Sequence, residues 1–472
     1  MREKGFRISR PKFALPVAIL CLSVLVFAIP CLAADSHYSP LFKDGRTLED
    51  HRKRKAPPSA VTMREAVERA LRHNPSLGSS EAQSKSSEET RKSRRGAFGP
   101  RLSMSYSAVK QESKTSPQTS RPPEFGTYAW TVEATQPIFQ GLRLLANYQR
   151  AALQAESDKA SLRQAELSMT ADVQQEFLNC LRAEENTRSE RDAVARLKDQ
   201  LNITRAFYEV GLRPRLDVLQ AEVDVSQAET TLIEAENVYA NSLARLNTLL
   251  GYPANMAVAY TGTLAFAPFK LTLEECLNRA YAQRPDLFVA AKAVEIAKKD
   301  QMAVQSDYYP QIEAYYSITQ RGNSPDLQEK GEGGSRSQVW EVGGRATWNV
   351  FQWGTTFFDD RAAGELVRKM KFEEENLKLN VGYDVKSRFL ALREAEKRIA
   401  VAEKAVAQAT ESYEAALARY REQVGTNFDV LNASSNLLRA QASLTSARAD
   451  YLTALAQLYV AMGEFHPDLS RP

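Results

Sequence analysis

Two patterns of apolar and polar residues alternate along this chain. In the first, apolar residues recur every three or four positions over long stretches, which is the seam of a left-handed coiled coil. Residues 142–210 contain neither Gly nor Pro, and a helix of these 69 residues would reach roughly 100 Å. The pattern predicts four long helices, expected at 141–210, 217–250, 355–424 and 429–462.

The second pattern is an alternation of apolar and polar residues over short segments. Leu102, Met104 and Tyr106, for example, alternate with Ser103 and Ser105. Alternation over about ten residues, with aromatic residues near the segment ends, is typical of strands in a transmembrane β-barrel. It predicts strands at about 102–112, 127–139, 312–322 and 337–350. A soluble sheet, half-buried against helices, is the alternative interpretation.

The chain contains the same unit twice. Asp217-Val218-Leu219 recurs as Asp429-Val430-Leu431 at an offset of 212 residues, and before the second strand of each unit the offset is 210, as in Tyr106 and Tyr316. Matches in constant register over such a length indicate an internal duplication. We therefore divide residues 61–472 into four parts: a first repeat (61–252), an equatorial linker (253–270), a second repeat (271–463) and a C-terminal tail (464–472).

One copy of the chain supplies four predicted strands, which are too few to close a barrel. An open sheet edge in lipid leaves backbone N–H and C=O groups without hydrogen bonds, and known bacterial barrels begin at eight strands. The chain must therefore share one barrel with further copies. The pattern alone leaves two, three and four copies open.

The N-terminus has the composition of an export signal. Residues 1–12 carry five basic side chains, residues 13–29 are uncharged and mostly apolar, and small residues follow at Cys31, Ala33 and Ala34. This order predicts a secretory signal peptide at 1–33, followed by a flexible periplasmic leader at 34–60. An uncleaved anchor and a lipidated Cys31 are the alternatives.

Loss of the signal would also change the charge of the chain. The whole sequence has 62 Lys and Arg against 58 Asp and Glu, and residues 1–33 hold five of these bases and one of the acids. The remaining chain has 57 of each sign. We therefore expect no nucleic-acid partner, and we interpret the basic run Arg91–Arg95 as a solvated face.

Residues and motifs typical of catalytic or metal-binding sites are scarce. The four His residues are scattered without partners at helical spacing, and no nucleophile-elbow motif is present. We therefore expect no metal site, no cofactor and no enzymatic activity. Cys180 and Cys276 both lie in helical patterns, which favours buried free thiols over a disulfide between them.

The chain resembles the outer-membrane efflux protein (TolC) family over nearly all of its mature length, from Val61 to Gly463. The resemblance is carried by the duplicated (Val/Leu)-Thr-x-x-Glu-(Ala/Cys) motif, by the sequences that flank the strands and, most specifically, by two helix-to-helix turns. The flanking sequences are Gly99-Pro100-Arg101-Leu102, Tyr309-Pro310-Gln311-Ile312, Gln136-Pro137-Ile138-Phe139-Gln140-Gly141 and Trp348-Asn349-Val350-Phe351-Gln352. The turns lie between Tyr208 and Ala221 and between Tyr420 and Ala433.

The resemblance implies a mainly α-helical protein with membrane β-structure. In the family, a homotrimer forms one 12-stranded outer-membrane β-barrel, continued by a 12-helix periplasmic α-barrel. Such a protein is a passive exit duct of a tripartite efflux or type I secretion system. The implied partners are a periplasmic adaptor protein, an inner-membrane transporter (a drug-efflux pump or an ATP-driven exporter) and the lipid of the Gram-negative outer membrane.

A stand-alone diffusion porin and a periplasmic structural coiled coil are the alternative functions. Long helices argue against a porin, which has no use for roughly 100 Å of periplasmic tunnel. The sequence does not reveal whether the cargo would be drugs, metals or proteins.

The resemblance also places functional residues at the two turns, which form the periplasmic tip in the family. It implies an adaptor contact at four positions: Gly211, Leu212, Asp217 and Gly425. It implies a channel gate, opened when the helices splay outward, at four others: Tyr208, Tyr420, Asp429 and Asn432. Two departures stand out. Asn432 occupies the position of a second acidic residue, so strong cation capture is not expected, and Gln423 replaces the glycine that matches Gly211.

Overall fold

The computed structural model describes residues 60–112, 124–325, 327 and 336–465. The predicted signal peptide, the predicted leader apart from Ala60, and residues 466–472 of the predicted tail lie outside these ranges. No helix in the described ranges has both the length and the apolar content needed to cross a bilayer.

The same order of elements occurs in both repeats. The first repeat contains α1 (Met63–His73), α2 (Pro75–Gly96), β1 (Arg101–Glu112), β2 (Glu124–Gln140), α3 (Arg143–Glu209) and α4 (Arg215–Leu249). The second contains α5 (Leu273–Gln283), α6 (Pro285–Gln305), a 3₁₀ turn (Ser306–Tyr308), β3 (Gln311–Gly322), β4 (Arg336–Thr347), α7 (Thr355–Arg421) and α8 (Asn427–Ala461). Helices α3 and α7 have 67 residues each, and α4 and α8 have 35 each, so the duplication extends to element lengths.

The first helix of each repeat begins with the same local motif. Thr62 caps α1 and Thr272 caps α5. In each case the Thr hydroxyl oxygen accepts from the N–H of a Glu three residues later, and that Glu carboxylate accepts from the Thr N–H. This capping box satisfies two N–H groups that the helix leaves free, so each repeat fixes the start of its helical part locally.

The four strands form one antiparallel sheet in the order β1-β2-β3-β4. Apolar residues of neighbouring strands share one face, as where Met104 lies opposite Val132 and Val132 opposite Ile318. On the other face the register aligns a row of polar residues across the sheet: Ser103, Glu133, Ser317 and Glu341. Among the described residues, β1 and β4 each pair on one side only, so both edges of the sheet are open.

In the single chain strand β4 ends at Thr347, whereas the sequence pattern predicts a strand to about residue 350. Its neighbour β3 begins at Gln311, which pairs with Thr347, and no ladder partner extends further. Strand β2, by contrast, continues to Gln140, because β3 lies on its other side and a bulge between Pro137 and Phe139 carries the pairing onward. A strand continues only as far as a neighbour receives its hydrogen bonds.

The long helices pack as two hairpins. We call α3 with α4 the first hairpin and α7 with α8 the second. Helix α3 is central, since it also packs against α2, α6 and α8. In α8 the predicted seam is buried at seven positions: Val430, Ala433, Leu437, Ala447, Tyr451, Leu458 and Ala461. The spacing of three and four therefore turns these side chains to one buried face, as the coiled-coil pattern predicts.

The helical part contains two large apolar cores, one in each repeat. The first joins α1, α3 and α4, and the second joins α5, α7 and α8. The linker (253–270) is tied to both cores by hydrogen bonds: the Tyr260 hydroxyl donates to Asn247 Oδ1 at 2.6 Å, and the Tyr451 hydroxyl donates to the Ala267 carbonyl at 2.6 Å. The linker thereby fastens one repeat to the other at the level of the cores.

Cys180 and Cys276 are buried free thiols, as predicted. Cys180 belongs to the first core and Cys276 to the second, so no disulfide joins them. Burial raises the pKa of the Cys180 thiol to about 11 and raises that of Cys276 as well. Both thiols therefore remain protonated at neutral pH and behave as small apolar side chains.

Candidate functional site

The turns that end the two hairpins are joined by polar contacts between the repeats. In the described part of the chain, no group of three or more His, Cys, Asp and Glu residues is placed to hold a metal ion.

The first turn closes α3 with a glycine in the left-handed region. Gly211 has φ +77°, a conformation that favours a residue without Cβ. Its N–H donates to the Tyr208 carbonyl at 2.9 Å, and the Leu212 N–H donates to the Phe207 carbonyl at 2.8 Å. Together these bonds form a Schellman motif, which satisfies the last carbonyls of α3 and turns the chain toward α4.

The second turn makes the same bonds with a different residue in the left-handed position. Gln423 has φ +63°, and its N–H donates to the Tyr420 carbonyl at 3.0 Å. The Val424 N–H donates to the Arg419 carbonyl at 2.9 Å. A residue with a side chain adopts this region at a cost of roughly 1–2 kcal/mol. The second turn therefore keeps the geometry of the first against a local preference.

Two further residues shape the start of α8. A Cβ on Gly425 would lie 3.2 Å from both the Arg419 carbonyl carbon and the Tyr420 nitrogen, so the close approach favours glycine. Thr426 then caps α8 together with Asp429. The Asp429 N–H donates to Thr426 Oγ1 at 3.2 Å, while the Asp429 carboxylate accepts from the Thr426 hydroxyl at 2.7 Å and from its N–H at 3.1 Å. These hydrogen bonds, the hydroxyl bond first, lower the pKa of Asp429.

A buried hydrogen bond joins the end of α7 to α3. Tyr420 is fully buried, and its hydroxyl lies 3.1 Å from Thr204 Oγ1. The Thr204 hydroxyl already donates to the Gln200 carbonyl at 2.9 Å, and a hydroxyl has a single hydrogen, so Tyr420 is the donor to Thr204. The Phe207 ring packs beside Tyr420 at a centroid distance of 5.7 Å. The second repeat is thus anchored to the first at its tip.

The polar contact continues to the first residue of α8. Gln200 Nε2 donates to Asn427 Oδ1 at 2.8 Å, and both side chains are buried. Within the described residues, the other amide atom, Gln200 Oε1, is buried and accepts no hydrogen bond. An unsatisfied buried acceptor costs roughly 1–3 kcal/mol. The unpaired Oε1 therefore offsets part of the stability that the hydrogen bond from Gln200 to Asn427 contributes.

Arg213 reaches from the first turn to the second. Its Nη2 donates to the Gly425 carbonyl at 2.8 Å, and its guanidinium carbon lies 5.2 Å from the centre of the Tyr420 ring. The side chain is half-buried, so water weakens this cation–π attraction only in part. We call the whole set the tip contact: Gln200, Thr204, Arg213, Tyr420 and Asn427.

The tip contact includes one predicted gate residue, Tyr420, and uses the carbonyl of one predicted tip residue, Gly425. The other predicted gate residues lie outside it. Tyr208 is exposed, and Asp429 and Asn432 are exposed near the start of α8, where they are three residues apart and share a face.

The remaining predicted adaptor residues lie around the first turn. Gly211 and Leu212 are exposed, and Asp217 is half-buried in the first turn of α4. Large apolar side chains are exposed beside them and around the second turn: Val210, Leu216, Leu219, Val424 and Phe428. An exposed apolar patch of this kind marks a surface that other proteins contact.

Sequence reasoning missed Gln200, Thr204, Arg213 and Asn427. Each of these residues meets a partner more than 200 positions away in the chain. Only Arg213 left a signal in the sequence. It matches Gly425 across the repeats, so it is a charge present in one turn and absent from the other.

Comparisons with known proteins identify a matching family model, two curated relatives and similar solved structures. The model of the outer membrane efflux protein family matches residues 66–252 and 276–464, which is most of both repeats. The alkaline protease secretion protein AprF of Pseudomonas aeruginosa is 23% identical over 314 residues, which cover 64% of this chain and 64% of that protein. The outer membrane protein TolC of Vibrio cholerae serotype O1 is 24% identical over 290 residues, which cover 60% of this chain and 64% of that protein.

These matches span less than two thirds of the length of the curated relatives. The similarity in fold covers more of this chain than the similarity in sequence does. The crystal structure of the Campylobacter jejuni CmeC outer membrane channel superposes with a TM-score of 0.73 at 17% identity, covering 87% of this chain and 87% of that one.

Proposed function

We propose that this chain, which belongs to the outer membrane efflux protein family, is the exit duct of a tripartite efflux or type I secretion system. The family places it in the outer membrane of a Gram-negative bacterium, with a large periplasmic part. In this function the chain is a passive channel. A periplasmic adaptor and an inner-membrane transporter drive the cargo, and we assign no catalytic step to the chain.

One observation carries the proposal. A four-stranded sheet with an exposed apolar face and two open edges runs directly into 67-residue helices, which are roughly 100 Å long. In lipid, open edges leave backbone groups without hydrogen bonds. Several copies must therefore close one barrel, and the helices that continue from the strands then surround a tunnel. Three copies, the number that the family resemblance implies, supply twelve strands.

The gate of this duct is proposed at the hairpin turns. The tip contact joins the two hairpins through hydrogen bonds and one cation–π pair, whereas the two helices within each hairpin pack through apolar seams. Opening would separate the second hairpin from the first by breaking the bonds of Tyr420 and Arg213. Asp429 and Asn432 would line the passage, and Tyr208 would lie beside it.

The adaptor is proposed to bind at the same end of the chain. Gly211, Leu212, Asp217 and Gly425 lie in or beside the two turns, where exposed apolar side chains are concentrated. An adaptor that covered this patch would gain apolar burial and could at the same time pull the turns apart. Binding of the adaptor and opening of the gate would then occur together.

Channel recordings in planar lipid bilayers test the gate. In full-length protein, Arg213→Ala removes the bond to the Gly425 carbonyl and the cation over Tyr420, so we expect about a tenfold higher open fraction. Arg215→Ala is the matched control, since it removes the same charge at the exposed start of α4. Equal open fractions in the two variants would exclude the tip contact as the gate.

A second experiment separates the duct from a stand-alone diffusion porin. Substitution of the exposed apolar residues Leu212 and Val424 by Ser should abolish capture of the periplasmic adaptor encoded with the same system, without changing the conductance of the isolated channel. A channel that exports its cargo in cells lacking any adaptor would contradict the proposal.

A further inference from the structure

The two apolar cores differ at a pair of matching tyrosines on α4 and α8. Tyr451 belongs to the second core and is fully buried, with the Phe266 ring of the linker 4.9 Å from its own ring. Its hydroxyl donates to the Ala267 carbonyl at 2.6 Å. Tyr239, which matches Tyr451 at the offset of 212, packs against the first core but is only half-buried. Within the described residues, the Tyr239 hydroxyl makes no hydrogen bond, and no segment covers it as the linker covers Tyr451.

The helical surroundings of the two tyrosines otherwise agree. Burial raises the pKa of Tyr451, and the Glu396 carboxylate raises it further. Burial and then the Glu184 carboxylate do the same to the pKa of Tyr239. Glu184 matches Glu396 at the offset of 212, so each tyrosine lies near the same acidic position of the long helix in its own repeat. The two sites therefore share their helical walls and differ in the segment that covers them.

The residues that cover Tyr451 come from a fixed place in the repeat. Ala267-Pro268 shortly precedes Leu271-Thr272, where the second repeat begins. At the offset of 210, Leu271-Thr272 matches Val61-Thr62, and Ala267-Pro268 matches Pro57-Pro58. A proline restricts the residue before it to extended conformations, so Pro58 imposes on Pro57 the restriction that Pro268 imposes on Ala267. Residues 56–59 lie outside the described ranges.

The chain that follows these residues enters the first core. Val61 is 2% exposed in that core. Its N–H donates to the Ala259 carbonyl at 2.9 Å, and its carbonyl accepts from the Thr261 N–H at 3.0 Å. Val61 is thus fixed in the core against which Tyr239 packs. Pro57 precedes Val61 by four residues, a reach of about 14 Å in extended chain. The matching stretch of the linker reaches its tyrosine with the same number of residues.

We propose that residues 56 and 57 of this chain cover Tyr239, and that the Tyr239 hydroxyl donates to the Pro57 carbonyl. This contact is the counterpart of the bond from Tyr451 to Ala267. It covers the open flank of the first core with a segment of the same chain, whose continuation is already fixed in that core. The inference goes beyond the proposed function and does not rest on it.

The first core also explains why the contact is confined to residues 56 and 57. Ser59 matches Phe269, which is 8% exposed in the second core and whose ring lies 6.2 Å from that of Tyr459. Tyr459 matches Asn247, and in the first core Asn247 accepts the hydrogen bond of Tyr260. Tyr260 of the linker therefore takes in the first core the place that Phe269 takes in the second, and a small residue suffices at position 59.

Cross-linking with a short bismaleimide tests where the segment lies. Ala265 of the linker and Arg448 of α8 line one groove, and Glu236 of α4 matches Arg448 at the offset of 212. We therefore combine Ala56→Cys with Glu236→Cys in full-length protein whose native cysteines are replaced by Ala. Val238→Cys is the matched control on α4, because it is exposed like Glu236 but lies on another face of the helix. Ala265→Cys with Arg448→Cys is the reference pair.

The cysteines at 56 and 236 should be joined within one chain, with a yield at least about fivefold above that of the pair at 56 and 238. Equal yields from these two pairs, while the reference pair reacts, would overturn the placement. A product of twice the chain mass would assign the cover of Tyr239 to a second copy and would overturn it as well.

A double-mutant cycle tests the hydrogen bond itself. The readout is the rate at which iodoacetamide alkylates Cys180, which is 1% exposed in the first core, in native full-length protein. Tyr239→Phe removes the donor, and Pro57→Gly with Pro58→Gly loosens the segment that holds the acceptor. We expect each change to raise the rate about fivefold, and the two together to raise it no further. Cys276, in the second core, is the internal control and should react at an unchanged rate.

Independent effects, which would multiply to about 25-fold in the combined variant, would overturn the bond between Tyr239 and Pro57. An unchanged rate in Tyr239→Phe would overturn it too. Neither result bears on the exit duct, because the readout involves neither the channel nor an adaptor.

Discussion

The two hairpin turns descend from one sequence and have the same backbone bonds, yet they differ in almost every side chain. The first has glycine in the left-handed position, Pro214 before α4 and no side-chain cap. The second has Gln423 in that position, glycine two residues later and a capping box. Arg213 and Gly425 match in the repeat, and in space the arginine lies against the carbonyl of the glycine.

This difference shows how the two halves of a duplicated fold can form a specific contact with each other. Two identical turns would present the same side chain to each other. Here one turn has glycine at the position where the other has arginine, so the two surfaces are complementary. The matching residues Tyr420 and Tyr208 have the same side chain but differ in burial, since Tyr420 is 0% exposed and Tyr208 is 43% exposed.

Substitution of Tyr420 should have the largest effect on the stability of the tip, and the matching Tyr208 provides the comparison. Tyr420→Ala leaves a cavity in a buried contact and should destabilise the tip by about 3–5 kcal/mol. Hydrogen exchange of the amides in residues 200–208 and 420–428 should accelerate by 100-fold or more. Tyr208→Ala, at the equivalent exposed position, should change these rates by less than about fivefold. Similar acceleration in the two variants would contradict the asymmetry of the turns.

Exchanging the residues at the two left-handed positions should change the stability of the two turns by smaller amounts and in opposite directions. Gln423→Gly relieves a side chain in the left-handed region and should stabilise the second turn by about 1 kcal/mol. Gly211→Gln should destabilise the first turn by a similar amount, because its site is open and only the backbone conformation opposes the side chain. Exchange protection of the last amides of α3 and α7 measures both. A destabilising Gln423→Gly would show that the glutamine side chain stabilises the turn.

Lowering the pH should have the smallest effect on the stability of the turns. The pKa of Asp429 is lowered in the folded chain, so its contribution to the cap of α8 is present above the ordinary value of about 3.9 and is lost as the pH falls through the lower folded value. Exchange at residues 427–430, corrected for the intrinsic pH dependence, should therefore accelerate only below about pH 4. Asp429→Ala should remove this transition, whereas Asp217→Ala in the uncapped first turn should retain it. A transition that persisted in Asp429→Ala would assign it to another group.

Much of this fold could be predicted because it is local and periodic. The long helices, the four strands and the positions of the two turns follow from spacings of two, three and four residues and from the places where glycine interrupts them. The duplication follows from residue matches that keep a constant register. Burial of Cys180 and Cys276 follows from the same spacing. A periodic pattern determines which face of an element is buried, whatever partner later covers it.

Only the tertiary structure decided how the repeats meet. The bonds of Arg213 to Gly425, of Tyr420 to Thr204 and of Gln200 to Asn427 join residues more than 200 positions apart, and single polar residues leave no period in a sequence. The end of β4 at Thr347 was likewise decided by the length of its neighbour β3 rather than by its own alternation. A sequence specifies which groups are available for hydrogen bonds, but the distance and burial that make a contact are set when the chain has brought both partners together.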